Sequence, residues 1–285
     1  TDATSEVADY AFTTLTVIPG MLEWRGAKIQ ILDMPGVIRG ASKGRGRGRE
    51  VLSVARGCDL LLLMIDVFET HVDILVDELR LAGIRLNERP ADVVLTKANR
   101  GGLTVNPTVK LTKMDKEMIA DICREWGYLN GTVVLREDVT EDQLIDVLAG
   151  NRVYIPALVL VNKIDLVSSE YIEQLRRKFP GWKLIPISAI KDQGLTKLKD
   201  LLYDTLRFMR VYLKPQGKEA DLAEPMIVKG GSTVGAVCDG IHREWRRRFR
   251  YANVWGPSAQ FPGQKVGLDH GLKDSDILTI VLRKG

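Results

Sequence analysis

An apolar run over residues 157–161 leads directly into Asn162-Lys163-Ile164-Asp165, and this junction constrains the fold more than any other stretch of the chain. The run predicts a buried strand that ends at the motif. The Asp165 carboxylate can accept two hydrogen bonds, from the N1–H and the exocyclic amine of guanine. Adenine offers no such donor pair, so a desolvated carboxylate facing it would be left unpaired. Lys163 can lay its methylene stem along the purine face, and the Asn162 amide can tie the loop to its neighbours. The alternative interpretation is a polar turn after a strand.

A second strand, predicted over residues 28–32, ends in Asp33-Met34-Pro35-Gly36. A carboxylate at the C-terminal edge of a strand can hold Mg²⁺ through water. The glycine N–H can approach a γ-phosphate because no side chain stands in the way. Upstream, Thr13 or Thr14 can ligate the same Mg²⁺, although either can instead be an ordinary strand residue. The Asp-x-x-Gly arrangement therefore predicts a magnesium–phosphate sensor.

A third short strand, predicted over residues 183–187, closes on Ser188-Ala189. Such pairs are common after strands, and this one gains weight only from following Asn162-Lys163-Ile164-Asp165, where its backbone N–H can face the guanine O6. The four pieces, in this order, resemble the second to fifth sequence motifs of Ras-like GTPases. The resemblance implies binding of GTP or GDP with Mg²⁺, a metal site at Thr14 and Asp33, and catalytic roles for Thr14 and Gly36. The implied nucleotide-binding residues are Asp33, Met34, Pro35, Gly36, Asn162, Lys163, Asp165, Ser188, Ala189 and Ile190.

The first GTPase motif is missing from the sequence. Gly-x-x-x-x-Gly-Lys-Ser/Thr occurs nowhere in it, and the glycine-rich stretch 40–49 has the wrong spacing and follows Asp33. In Ras-like domains the phosphate loop precedes the switch threonine, so it would fall before residue 1. We therefore expect a chain without the segment that holds the phosphate loop and the central first strand. Loss of that strand leaves its two neighbours without a hydrogen-bonding partner. Residues 1–285 alone are thus expected to bind GTP poorly and to be inactive.

Length and composition predict a soluble protein of two or three domains. The chain has 285 residues and a mass of 31.8 kDa, with 45% apolar and 27% charged residues. Its net charge of +4 is too small to diagnose a nucleic-acid partner by itself. Apolar runs such as 60–65 are too short to cross a bilayer, and no secretory segment opens the sequence. Three isolated cysteines indicate buried thiols in a reducing compartment. These features predict a cytoplasmic location and no membrane partner.

The distance along the chain between Asp33 and Asn162 indicates an insertion. A compact Ras-like domain uses about 30 residues for each strand–helix–strand crossover, and this path is roughly twice as long as it needs to be. The surplus predicts a small α+β module within residues 82–152. Its predicted elements are a hairpin of strands 92–96 and 103–105 around the turn 99–102, a helix 116–126, a strand 132–135, and a helix 141–148 capped by Thr140.

The other segments follow from periodicity and from turn residues. Residues 16–32 predict a hairpin that turns at Arg25-Gly26, and the apolar run 59–66 predicts a strand buried on both faces. The remaining predicted elements are helices 50–57, 167–179 and 195–213, strands 225–228 and 277–282, and a basic helix with Val234, Val237, Cys238, Ile241, Trp245 and Phe249 facing a core. The predicted domains are 1–81 with 153–213, 82–152, and 214–285.

Seven segments spread over almost the whole chain carry a more specific resemblance. They are residues 10–16, 27–36, 43–49, 83–87, 134–138, 162–165 and 265–270. Together they resemble the Obg-like GTPases, most closely the developmentally regulated GTP-binding (DRG) family. The resemblance implies an α/β fold with a Ras-like P-loop GTPase domain, an inserted ribosomal-protein-like α+β domain and a C-terminal β-grasp (TGS) domain. It also implies a role in translation near the ribosome, with rRNA or tRNA and an accessory regulatory protein as partners. The family pattern and the following Leu15 favour Thr14 over Thr13.

Val37, directly after the Asp-x-x-Gly motif, departs from Ras-like enzymes. Ras-like proteins place a glutamine there to orient the attacking water, and a valine can neither donate nor accept a hydrogen bond. The resemblance places the chain among GTPases with a hydrophobic residue at this position, several of which use K⁺ to neutralise charge between the β- and γ-phosphates. K⁺ is therefore a hypothesis for a further cofactor.

Two arginine-rich stretches are candidate RNA contacts. The loop 40–49 fits either a solvated flexible loop or a contact to RNA or a partner in the switch region. In the C-terminal part, five arginines within eight residues exceed what solubility requires, which favours contact with an RNA phosphate backbone over a solvated basic face. These predicted RNA-binding residues are Arg243, Arg246, Arg247, Arg248 and Arg250.

Two functions remain open from the sequence. The first is a GTP-hydrolysing translation factor that contacts the ribosome through its insert and tail. The second is an RNA- or ribosome-docking module in which GTP is a switch ligand and intrinsic hydrolysis is negligible. Val37 and the absence of the phosphate-loop motif from this sequence are consistent with the second function.

Overall fold

The structure, a computed structural model, describes residues 18–34 and 48–283, and its contacts divide them into two compact units. One unit contains residues 18–34 and 187–283, and the other contains residues 48–186. Predictions for Thr14, for Pro35 and Gly36, and for the glycine- and arginine-rich loop up to residue 47 lie outside the described residues.

The helices and strands alternate along most of the chain. The strands are β1 (Ile18–Trp24), β2 (Ala27–Asp33), β3 (Leu61–Asp66), β4 (Ile84–Leu86), β5 (Val93–Lys97), β6 (Leu103–Pro107), β7 (Gly131–Leu135), β8 (Val153–Ile155), β9 (Ala157–Asn162), β10 (Leu184–Pro186), β11 (Phe208–Leu213), β12 (Met226–Lys229), β13 (Phe249–Trp255), β14 (Gln264–Val266) and β15 (Asp276–Leu282). The helices are α1 (Gly48–Ala55), α2 (Val72–Leu81), α3 (Lys116–Glu125), α4 (Glu141–Ala149), α5 (Ser169–Lys178), α6 (Leu195–Thr205), α7 (Val234–Ile241) and α8 (Arg243–Arg248).

A parallel sheet in the order β10-β9-β3 forms the centre of the unit 48–186. The predicted strand before Asn162 is confirmed as β9, which is buried along its apolar length. The prediction that β3 is buried on both faces is wrong. Leu61, Leu63 and Ile65 point into the core, whereas Met64 on the opposite face is 57% exposed. An unbroken apolar run does not by itself show whether one or both faces of a strand are covered by other elements. Among the described residues, nothing covers the face of β3 at Met64.

The inserted module has its own three-stranded sheet, and its strand order corrects the predicted hairpin. The order is β5-β7-β6, so the two strands expected to pair with each other both pair with β7 instead. β7 is the most buried of the three strands, with Val133 and Leu135 fully enclosed, and the central position covers both of its edges. The glycine-containing loop between β5 and β6 therefore crosses the start of β7 instead of forming a two-strand turn.

The core of the inserted module confirms the remaining elements predicted for it. Helices α3 and α4 and strand β7 appear where the periodicity placed them. Their apolar faces meet in one cluster, in which Ile119, Cys123 and Leu144 are fully buried. The inserted module therefore has a hydrophobic core of its own.

Thr140 caps α4 as the sequence predicted. Its hydroxyl accepts a hydrogen bond from the Gln143 backbone N–H, and the Thr140 backbone N–H donates to the Gln143 side-chain oxygen, which completes a capping box. Thr140→Ala should therefore lower the free energy of unfolding by about 1 kcal/mol, whereas Thr140→Ser should leave it nearly unchanged because the hydroxyl remains. Urea denaturation of the two variants checks this, and equal stabilities would contradict it.

The hairpin predicted before Asp33 is confirmed in the other unit. β1 and β2 pair antiparallel, and Arg25 and Gly26 both have positive φ, 50° and 81°, as a two-residue type I′ turn requires. The tip is anchored to α6, because Trp24 Nε1 donates to Asp200 Oδ1 at 2.9 Å and Arg25 forms an ion pair with the same carboxylate at 2.7 Å.

The prediction of one helix over 195–213 is wrong in its last part. Helix α6 ends at Thr205, Arg207 takes a positive φ of 52°, and the chain continues as β11. Along β11, Met209 and Val211 are buried and alternate with less buried neighbours, which is strand periodicity. The apolar stripe of the sequence satisfied a helical spacing by coincidence over the last turns.

The C-terminal part forms a five-stranded mixed sheet in the order β12-β11-β15-β13-β14, packed against α7. The basic helix predicted here is broken. His242 has an extended conformation, ends α7 and caps α8 through Nδ1, which accepts the Glu244 N–H at 3.2 Å. Phe249 already belongs to β13. The apolar residues still face a shared core as predicted, since Val234, Val237 and Cys238 are fully buried.

No helix in residues 18–34 and 48–283 is long and apolar enough to span a membrane.

Candidate functional site

The end of β9 turns sharply at the motif singled out from the sequence. Lys163 takes a left-handed conformation with φ 65°, and the Asn162 Oδ1 accepts its backbone N–H at 2.8 Å. A short 3₁₀ turn, Ile164–Leu166, follows. A left-handed conformation is uncommon for a residue other than glycine, so local contacts hold it in place. The turn places Lys163 beyond the edge of the sheet and leaves Asp165 half-buried beside it.

Asp66 is the partner of Lys163, and the sequence interpretation missed it. The strand register aligns Asp66, the last residue of β3, with Asn162. Lys163 Nζ donates to Asp66 Oδ2 at 2.6 Å, and Asp66 Oδ1 accepts the backbone N–H groups of Phe68 and Glu69 at 2.8 Å each. These hydrogen bonds, above all that from Lys163, lower the pKa of Asp66 to about 2. The available signal was an acid at the end of an apolar strand, because parallel strands end at the same edge of a sheet.

Helix α5 ties the two loops at this edge together. The Ser168 hydroxyl accepts the Tyr171 backbone N–H at 3.4 Å and caps the helix. The Tyr171 hydroxyl donates to the carbonyl oxygen of Val67 at 2.9 Å, and Val67 itself is buried. The loop after β3 and the loop after β9 are therefore held by one helix as well as by the Asp66–Lys163 pair.

The predicted residues Ser188, Ala189 and Ile190 belong to the other compact unit. Ser188 is buried, its N–H donates to the Gln193 carbonyl oxygen at 3.0 Å, and its hydroxyl accepts the Lys191 N–H at 3.2 Å. Its N–H is thus already engaged within the loop. Ala189 is exposed and Ile190 is 88% exposed.

Asp33 ends β2 with an exposed side chain, and Met34 follows it half-buried. Within the described ranges, no three His, Cys, Asp or Glu side chains are grouped to hold a metal ion. That is compatible with Mg²⁺, which keeps several waters and takes one or two protein carboxylates together with phosphate oxygens. The Asp33 carboxylate is a hard oxygen ligand of the kind that such a site uses.

The five predicted RNA-contact arginines are all exposed on α8 and the start of β13. Arg246 forms an ion pair with Asp239, and Arg248 donates to the Arg283 carbonyl oxygen at 3.2 Å. Arg250 lies 5.8 Å from the ring centre of Tyr251. Arg243 and Arg247 make no ion pair in the part of the chain that the structure describes.

Three family models together match almost the whole chain. Residues 1–97 match a family described as 50S ribosome-binding GTPase, and residues 100–208 match the C-terminal region of the same domain. Residues 209–282 match the TGS domain, and this match begins within β11.

Similarity to individual relatives extends over almost the whole of this chain and about three quarters of each relative. A GTP-binding protein of Methanocaldococcus jannaschii is 52% identical over 100% of this chain and 73% of the relative. The developmentally-regulated GTP-binding protein 1 homolog of Dictyostelium discoideum is 43% identical over 99% of this chain and 77% of the relative. Developmentally-regulated GTP-binding protein 2 of Homo sapiens is 40% identical over the same shares. The chain belongs to the DRG family.

The DRG identity confirms the family and the fold class that the sequence indicated. A GTPase domain, its extension and a C-terminal TGS domain follow one another in an α/β architecture. As a DRG protein the chain is a GTP-binding GTPase, and the family implies GTP or GDP with Mg²⁺ as ligands. The assignment of individual site residues stays a prediction.

Proposed function

We propose that this DRG protein hydrolyses GTP as a factor that acts at the ribosome or on RNA. The observation that carries the proposal is that one chain contains both a guanine-type loop at the end of β9 and, in the TGS domain, an exposed arginine segment. The similarity of residues 1–97 to a family described as 50S ribosome-binding GTPases supports the ribosome as partner.

At the nucleotide site, Asp165 reads the edge of the guanine and Lys163 covers a face of the ring. The half-buried position of Asp165 strengthens its hydrogen bonds, since competing water is partly removed. Thr14 and Asp33 would hold the Mg²⁺, which would neutralise charge on the phosphates, and the Gly36 N–H would serve the γ-phosphate. Val37 cannot orient water, which leaves room for K⁺ or for a group from the ribosome or an accessory protein.

The RNA surface is proposed to lie on α8. Guanidinium groups bind phosphates through parallel N–H donors, and each phosphate contact releases counterions. Arg246 is partly neutralised by Asp239, and Arg248 donates to the Arg283 carbonyl oxygen, so Arg243 and Arg247 are the two arginines of this helix that make neither contact.

Arg243→Gln with Arg247→Gln tests this surface. We expect RNA affinity to fall roughly 10-fold near physiological salt, and the slope of log K against log salt to decrease by about 1 to 2, because two phosphate contacts are lost. Binding of the intact gene product to 23S rRNA fragments and to tRNA at several salt concentrations measures both quantities.

Arg176→Gln with Arg177→Gln is the matched control, since it removes two adjacent exposed arginines from α5 in the other unit. It should leave the affinity and the slope within error of the unmodified protein. Equal losses in the two double variants would show that only net charge matters and would contradict an RNA surface on α8.

The second candidate function is a docking module in which GTP acts as a switch and is hydrolysed negligibly without a partner. Val37 is the observation that favours it, because the residue that would orient water is apolar. Multiple-turnover GTP hydrolysis by the intact gene product, measured in K⁺ and in Na⁺ and with or without ribosomes, separates the two. GTP that stays bound and uncleaved in every condition favours the module.

A further inference from the structure

The Asp66–Lys163 ion pair joins the end of β3 to the turn after β9. Each residue also makes hydrogen bonds within its own loop. Asp66 Oδ1 is occupied by two backbone N–H groups of its own loop, and Oδ2 receives the lysine. The carboxylate is therefore fixed in direction before the lysine reaches it. The side chains are 23% and 46% exposed, so the pair lies at the rim of the site and is open to a ligand.

The backbone of Lys163 adds to this arrangement. A left-handed conformation at a lysine costs free energy, and the Asn162 side chain that accepts its N–H offsets part of that cost. The lysine side chain reaches back to the end of β3, where its ammonium group meets Asp66, and it stays 46% exposed. The ammonium end is thereby anchored while the methylene stem remains at the rim.

We propose that Asp66 is a positioning residue for nucleotide binding, which holds the Lys163 stem where it covers one face of the purine that Asp165 reads at its edge. The inference rests on the proposed guanine site. A free lysine side chain has many rotamers, and a ligand that stacks on its stem must select one of them. Asp66 selects that rotamer before the ligand arrives, so binding does not have to order the side chain.

In this proposal Asp66 and Asp165 have different effects on nucleotide binding. Asp165 contacts the base edge, so it distinguishes guanine from bases that lack the 2-amino group. Lys163 covers the ring face, which guanine and hypoxanthine share. Loss of Asp66 should therefore weaken guanine and hypoxanthine nucleotides by the same factor and leave the ratio of their dissociation constants unchanged.

The test compares Asp66→Asn with the unmodified protein, using the intact gene product. An asparagine can still accept the Phe68 and Glu69 N–H groups through its carbonyl oxygen, but it cannot form the ion pair with Lys163. We expect the Kd values for GDP and for inosine diphosphate to rise equally, by roughly 5- to 10-fold, as for a lysine that is no longer pre-ordered. For GTP hydrolysis, KM should rise and kcat should stay unchanged. Asp77→Asn removes the same charge from an exposed position on α2 in the same unit and should change neither constant.

A double-mutant cycle with Lys163→Met completes the test. If Asp66 acts through Lys163, then Asp66→Asn has no further effect once the ammonium group is gone. Additive losses would overturn the proposal, and so would tighter binding by Asp66→Asn, since the released lysine would then serve the ligand better unpaired. If Asp66→Asn fails to fold, Lys163→Met alone must weaken both nucleotides equally, and an unchanged Kd overturns the proposal. Failure of the guanine site itself is recognised separately, because Asp165→Asn would then leave the base preference intact.

Discussion

Asp165→Asn should weaken binding of GDP and GTP by about 10³-fold and improve binding of xanthine nucleotides relative to guanine nucleotides, because the two charge-assisted hydrogen bonds that we propose between Asp165 and the guanine edge would be lost. The asparagine carbonyl can still accept one N–H, but its amide group then faces the 2-amino group of guanine, and two donors repel each other. Xanthine carries a carbonyl oxygen at that position, which the amide can meet as a donor. The half-buried position of residue 165 adds to the effect, since water compensates a mismatched group poorly there.

The measurement is a competition among guanine, xanthine and adenine nucleotides for the intact gene product, with the dissociation constant of each. Asp77→Asn is the control, because it removes the same charge from an exposed position on α2 in the same unit. It should leave all three affinities unchanged. A ratio of guanine to xanthine affinity that is equal in Asp165→Asn and in the unmodified protein would show that residue 165 does not read the base.

The parts of the candidate site that depend on a single strand and the turn after it could be predicted from the sequence. The motif after β9 stands at a strand end as predicted, because an apolar run of that length and a polar break define both features locally. The turn at Arg25-Gly26 and the capping box at Thr140 are equally local, since each depends on residues within a few positions of one another.

Features that depend on distant partners could not be predicted in the same way. The strands β5 and β6 show a plausible turn between them, yet their partner β7 comes later in the chain, and only its burial decides the order. Asp66 was missed for a similar reason. It becomes a site residue only because the register of β3 against β9 aligns it with Asn162, and register is set by packing that a single strand does not show.

The helices predicted over residues 195–213 and from Val234 to Phe249 both end earlier than their sequence pattern indicated. Residues 208–213 satisfy helical spacing and strand alternation equally, and the five-stranded sheet that they join decides the outcome. Near His242 the possible break signal is Gly240, two residues earlier within α7, and it does not mark the residue at which that helix ends and α8 begins. In both cases tertiary pairing overrides a local pattern.

The buried ion pair between Arg85 and Asp146 connects β4 to α4. Arg85 Nε donates to Asp146 Oδ2 at 2.5 Å and Nη2 donates to Oδ1 at 2.6 Å, with side chains only 7% and 5% exposed. Arg152 Nε adds a third hydrogen bond to Oδ1 at 2.9 Å. The Arg85 Nη1 donates to the Arg80 carbonyl oxygen at 2.7 Å, so the guanidinium group cannot easily turn to water.

Asp146→Asn should therefore lower the free energy of unfolding at neutral pH by about 3–5 kcal/mol, because it leaves a guanidinium charge buried without its counter-charge. Urea denaturation followed by circular dichroism measures the loss. The control is Asp142→Asn, which breaks an exposed pair with Arg80 and should cost less than about 1 kcal/mol. Equal losses in both variants would contradict a special role for the buried pair. Replacing both partners, Arg85→Met with Asp146→Leu, should cost less than Asp146→Asn alone, since the buried Arg85 charge is then removed together with its counter-charge and only the more exposed Arg152 loses a partner.

The pH dependence of the same variant gives an independent check. Burial raises the pKa of Asp146, but the hydrogen bonds from Arg85 and Arg152 outweigh it and hold the pKa below its ordinary value. A carboxyl group whose pKa is lower in the folded state stabilises the fold above its unfolded pKa of about 3.9, and this contribution disappears as the pH falls through the folded pKa. The unmodified protein should thus lose stability below about pH 4, whereas Asp146→Asn has no carboxylate to protonate at this position. The stability difference between them should therefore shrink steadily as the pH is lowered, and a difference that stays constant down to pH 2 to 3 would mean that the ionised carboxylate is not what stabilises this contact.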